Sequence, residues 1–174
     1  MTERRTTTTV LFGAILWTAL AFAIGYLVGA ERQFSKMPLF RIGQDIQFDS
    51  KNVMFVGWSP PESNFRWSEG KRTAIVFRPE KLDANHGGNL SMTWTIARSQ
   101  GEQPVSISLN GKKIADFVAR GAPGRFTFPV PRELLKELKD NELEAVHPNP
   151  VRGGPNDPRK LAIALVGVHL AYEE

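Results

Sequence analysis

Between Leu90 and Ile96 the chain alternates strictly: Leu90, Met92, Trp94 and Ile96 fall on one side of an extended backbone, and Ser91, Thr93 and Thr95 on the other. A period of two is the signature of a half-buried strand. Val105, Ile107 and Leu109 against Ser106 and Ser108 repeat it, as do Phe126, Phe128 and Val130 against Arg125 and Thr127. Shorter runs of the same kind predict strands over residues 46–48, 53–58, 73–78, 113–118, 142–146 and 161–171. Asn110-Gly111 separates two such runs. This pair accepts the positive φ angles of a type I′ turn, so the strands on either side are expected to be antiparallel neighbours. Pro131 opens a short helical turn, expected over 132–139, because proline suits the first helical position. Residues 161–170 are apolar on both faces. That predicts a central strand whose outer face is covered by the helical turn or by a partner. Eight or nine short strands with almost no helix give a mainly β fold, a jelly-roll β-sandwich in preference to an immunoglobulin-like one.

A different pattern precedes the strands. Residues 10–30 contain no charge, and about 20 apolar residues suffice for a helix to cross a bilayer. The expected organisation is a cytoplasmic tail at 1–9, a single transmembrane helix at 10–30, a linker at 31–44 containing Pro38 and Gly43, and the β-sandwich domain at 45–174. A cleaved signal peptide is the rival, with Val28-Gly29-Ala30 as the cut site. The apolar stretch exceeds the 7–15 residues usual for a signal peptide core, which favours the anchor. Arg4 and Arg5 before the span face Arg32, Lys36 and Arg41 after it, so the positive-inside rule gives no clear vote. The short leader argues for a C-terminal domain outside the cytoplasm. Ala21, Gly25 and Gly29 recur every four residues, a small-residue face that would let a second helix approach closely.

Composition narrows the chemistry. The chain has 174 residues and no cysteine, which excludes disulfides, a thiolate nucleophile and Cys-ligated metal sites. The net charge of +4 is spread among acidic residues, and a nucleic-acid footprint would be more concentrated. Nucleophile-elbow and phosphate-loop motifs are absent, and His86, His147 and His169 are too dispersed for a metal motif. Glu62 and Glu69 would be the one glycosidase-like carboxylate pair. The expectation is a non-catalytic protein without cofactor or metal.

The stretch from Gly57 to Gly70 concentrates Trp58, Glu62, Arg66 and Trp67 between strands. Indole faces stack on sugar rings while carboxylate and guanidinium groups bond hydroxyls, so this mixture suits a glycan. The competing reading makes both indoles a lid on the core, with Arg66 or Glu62 capping loop backbone. Asp157 and Arg159 precede the last strand. They either join the glycan site or brace the loop, Arg159 pairing with Asp157 or Glu62.

Several ordered segments, Gly57-Trp58-Ser59-Pro60-Pro61-Glu62, Arg66-Trp67-Ser68, Gln103 through Gly111, Asn141-Glu142-Leu143-Glu144 and Asp157 through Leu165, together resemble the jelly-roll domain appended to bacterial membrane glycosyltransferases and phosphoglycerol transferases. The resemblance covers about residues 45–172. It implies a galactose-binding-like sandwich on the outer side of the bacterial inner membrane, periplasmic or extracellular, accessory to the synthesis or modification of envelope polysaccharide. The partners it implies are the membrane, a membrane glycosyltransferase or other envelope protein, and a glycan. These residues lack a multi-span catalytic portion, so action in trans is expected. The alternative is a structural subunit that docks onto a multi-span membrane enzyme without binding sugar.

Overall fold

A computed structural model of the chain describes residues 37–86 and 88–173. The anchor at 10–30, with Ala21, Gly25 and Gly29, lies outside the described residues. Within them no helix is long and apolar enough to cross a membrane.

The alternating segments become strands. Those described are β1 (Asp45–Gln47), β2 (Val53–Val56), β3 (Arg66–Glu69), β4 (Arg72–Phe77), β5 (Leu90–Ser99), β6 (Glu102–Leu109), β7 (Lys112–Arg120), β8 (Gly124–Val130), β9 (Asn141–Val146), β10 (Val151–Gly154) and β11 (Asp157–Tyr172). They form two antiparallel sheets. One runs β1-β11-β5-β8, with β3 and β10 also paired to β11; the other runs β2-β4-β9-β6-β7. The inward rows of both sheets meet in one core containing Trp94, Ile75, Phe77, Ile107, Leu143 and Leu165. Each large side chain so buried contributes roughly 1.5–3 kcal/mol.

The hairpin between β6 and β7 forms as its turn dictates, with Asn110 at φ 53° and Gly111 at φ 80°. The helical turn is shorter than expected: only Arg132–Leu134 winds, as a 3-10 turn after Pro131. Its continuation is replaced by a side chain. Buried Asn141 accepts the Lys136 N–H at 2.8 Å and donates to the carbonyls of Lys136 and Lys139, at 2.9 and 2.8 Å. Those backbone groups therefore have no need of a helical ladder.

Strand β11 is central, as its two apolar faces require. Leu161 pairs with both Val151 and Glu69, and Ala164 with both Arg98 and Trp67, so β10 and β5 follow one edge and β3 the other. Ile163 and Leu165 face the main core. Ala164 points oppositely and joins Leu161, Trp67, Phe65 and Ala97 in a second apolar cluster. Around Leu161 and Ala164 the outer face is thus covered by the Trp67 and Phe65 side chains, not by the helical turn. Phe40, which the sequence pattern leaves in the 31–44 linker, is fully buried, edge-on to Phe77 at 5.7 Å, and bridges Pro79. The folded body therefore begins ahead of Asp45, at Pro38.

Candidate functional site

Trp58 and Trp67 do not present their rings to solvent. Trp58 is 8% exposed, tilted on Trp94 at 6.4 Å and edge-on to His147 at 6.4 Å, with its Nε1–H donating to the Ala74 carbonyl at 3.1 Å. Trp67 is 4% exposed; Phe65 meets its ring edge-on at 5.8 Å, and the Arg98 guanidinium lies 5.2 Å above both rings. The role of sugar-stacking platform is therefore corrected for both: Trp58 belongs to the main core and Trp67 to the outer cluster. Arg66 is likewise occupied. Its Nη1 donates to the Ser59 carbonyl at 2.8 Å, its Nε to the Phe48 carbonyl, and its guanidinium covers the Phe55 ring at 4.4 Å. Burial holds its pKa below the usual arginine value.

Glu62, Asp157 and Arg159 do come together, with Glu69 as a fourth member. Arg159 Nη1 meets Glu62 at 2.8 Å and Glu69 at 3.4 Å, while Nη2 meets Asp157 at 2.7 Å. Hydrogen bonds from Arg159 lower the Asp157 pKa, and the carboxylates of Asp157 and Glu62 raise that of Arg159. This cluster ties the 57–70 segment to the start of β11. Glu62 and Glu69 thus share one cation, the Arg159 guanidinium. Of the six residues picked out by sequence, Trp58 and Trp67 are buried, Arg66 is bonded to loop carbonyls, and Glu62, Asp157 and Arg159 are paired with one another.

A polar trough of about 260 Å³ lies elsewhere, on the outer face of the first sheet, lined by Asp45, Gln47, Thr95, Arg125 and His169 with Val166, Gly167 and Val168. Alternation places it there: Asp45 and Gln47 flank buried Ile46, His169 lies between buried Val168 and Leu170, and Thr95 follows buried Trp94. Pairing then aligns two rows across four strands. Asp45, His169, Thr93 and Thr127 are cross-strand partners in turn, and so are Gln47, Gly167, Thr95 and Arg125. At about 4.8 Å per strand each row spans roughly 14 Å. Gly167 lowers the middle of the second row, and a Cβ there would lie 2.8 Å from the Ile46 carbonyl oxygen.

Hydrogen bonds orient the trough. His169 Nδ1–H donates to Asp45 at 2.7 Å, and Gln47 Nε2 donates to the other Asp45 oxygen at 3.1 Å. The order carboxylate, imidazole, hydroxyl in the first row matches a nucleophilic triad in sequence only. The Thr93 hydroxyl pairs with Thr127 at 2.8 Å and not with the imidazole, so no base is set to activate it. No group of three or more His, Cys, Asp and Glu side chains among the described residues is arranged to hold a metal ion. The arrangement is suited to holding a polar ligand. Its residues come from four separate strands, and the one signal in the sequence is the polar outward row of each.

Neither a known protein family nor a curated protein matches the chain in sequence. Solved structures with a similar backbone include the CBM35 domain from Paenibacillus barcinonensis, 13% identical with a TM-score of 0.47, covering 75% of this chain and 100% of that one. The CBM36-1 domain of a multidomain xylanase from the hindgut metagenome of Trinervitermes trinervoides is 11% identical with a TM-score of 0.46, covering 75% and 98%. A family two carbohydrate esterase from Clostridium thermocellum is 12% identical with a TM-score of 0.42, covering 67% of this chain and 30% of its own. The chain thus spans about a third of the esterase and nearly all of the two modules. None of the three is a membrane glycosyltransferase or phosphoglycerol transferase domain, and at 11–13% identity no side-chain role passes from them to this chain.

Proposed function

We propose that this chain is a non-catalytic, membrane-tethered module that binds a glycan on the β1-β11-β5-β8 face, in the synthesis or modification of envelope polysaccharide beside a membrane glycosyltransferase. The trough carries this reading: amide, imidazole, hydroxyl and guanidinium groups are set in two rows across four strands. Such a surface matches the closely spaced hydroxyls of a saccharide chain. Without an aromatic floor, affinity rests on hydrogen bonds of about 0.5–1.5 kcal/mol each. Tethering at the membrane offsets such modest affinity by raising the local concentration of module and glycan.

The test is calorimetric titration of the full chain in detergent with envelope oligosaccharides, alongside Gln47→Ala and Thr95→Val. Each substitution is expected to weaken binding about threefold to tenfold and leave the melting temperature in place. Saturable binding indifferent to both changes, or no binding by any of these oligosaccharides, overturns the reading. Burial of Trp58 and Trp67 favours the second reading, a structural subunit docked on a multi-span enzyme, which predicts stable co-purification with that enzyme and no glycan titration.

A further inference from the structure

Among the described residues nearly every arginine is engaged. Arg41, Arg72, Arg78, Arg120 and Arg159 pair with carboxylates. Arg66, Arg132 and Arg152 donate to backbone carbonyls, and Arg98 lies over two aromatic rings. Arg125 alone has no such partner, and it stands in the wall of the trough.

The charges of the trough are correspondingly uneven. At the β1 end, Asp45 is already met by His169 and Gln47. At the β8 end, Arg125 faces Thr95 across the strand pair, with Thr127 next on its own face. Asp45 stands three strands away and in the other row, and no ion pair joins it to Arg125. The guanidinium is therefore uncompensated within the site, and its planar fork suits an oxyanion that accepts two parallel hydrogen bonds.

The geometry points to an anionic saccharide as the ligand of the trough, with Arg125 holding its oxyanion while Gln47, Thr95 and His169 bond the hydroxyls. This rests on the trough being a glycan site. Carboxylate on a uronate and phosphate on a substituted sugar share the chemistry that Arg125 reads.

Three probes distinguish the cases on the full chain in detergent: an oligogalacturonate, its fully methyl-esterified form, which has the same chain without the charge, and a glycerol phosphate oligomer. The expected result at low salt is that the acid binds about tenfold tighter than the ester, and that Arg125→Gln removes this preference by bringing the two affinities within about twofold of each other. A phosphate oligomer that binds tighter still, with the same dependence on Arg125, assigns the oxyanion as phosphate. Equal binding of acid and ester, or a preference that survives Arg125→Gln, overturns the selectivity and leaves the glycan site standing. Failure of all three probes to bind overturns both readings. Arg125→Lys separates charge from fork: an intact preference in that variant overturns bidentate recognition.

Discussion

Acidification provides a test of the core beneath the two sheets. His147 is fully buried, with Nε2 3.1 Å from the Thr73 hydroxyl, Nδ1 without a partner and the Trp58 ring edge-on at 6.4 Å. Removal from water lowers its pKa from 6.5 to about 4. Because the unfolded chain takes up this proton more readily than the folded one, stability is fully present above pH 6.5 and falls as the pH drops toward 4. The whole effect is about 3 kcal/mol, at 1.36 kcal/mol per pH unit of displacement. About 1 kcal/mol is gone at pH 5.5 and most of the effect at pH 4.5. Asp83, Asp116 and Asp157 also have lowered pKa values. Their contributions are lost lower, as the pH falls below the ordinary aspartate value. Urea unfolding at intervals from pH 7.5 to 4.5 reads the effect as a falling midpoint, by about 1 M for a slope near 2 kcal/mol per molar. His147→Gln starts from lower stability and is expected to lack this part of the pH dependence. Parallel pH curves for the two proteins would refute the account, since His147 would then titrate as if it were in water.

Two further outcomes follow from packing. Trp67→Ala is expected to cost about 3–5 kcal/mol of stability, read by thermal or urea unfolding, with glycan affinity of the folded fraction unchanged. A chain beginning at Asp45 loses Phe40 from the core, so it should be less stable by a similar amount than one beginning at Pro38; equal unfolding midpoints would show that Phe40 does not contribute.

The strands were legible where one face is wet and the other dry. Leu90 to Ile96 and the β6-β7 hairpin follow directly from alternation and from Asn110-Gly111. Strand β3 was hidden because Trp67 and Ser68 are both buried, on opposite faces, so no alternation survives, and Pro60-Pro61 just before it signals a loop. Strand β10 was hidden by its Gly153-Gly154-Pro155 ending, which reads as a turn. Phe40 and Ile42 stand at strand spacing, but the pair is too short a run to read as a strand between Pro38 and Gly43, and the burial of Phe40 rests on its contacts with Phe77 and Pro79. The composition of the 57–70 segment drew attention to Trp58 and Trp67 because local chemistry shows what a residue is able to touch, and burial is decided by distant strands. The trough is the converse. Its residues are unremarkable singly, and Asp45 and His169, 124 positions apart, meet only through pairing of β1 with β11. The bracing role of Arg159 was legible, since its carboxylate partners stood in the same short motifs.

The position of β11 has a consequence for the order of events in biogenesis. This strand of 16 residues pairs with β1, β3, β5 and β10, so the first sheet lacks its centre until residues 157–172 are available. A nascent chain that has emerged only as far as β9 can assemble β2, β4, β6, β7 and β9, but it leaves one edge of β5 without the strand that pairs with it. Contacts so distant in sequence form slowly, and exposed strand edges invite aggregation while they wait. The body is therefore committed to folding after synthesis of its last strand, and a stalled or prematurely terminated chain would be a client for chaperones.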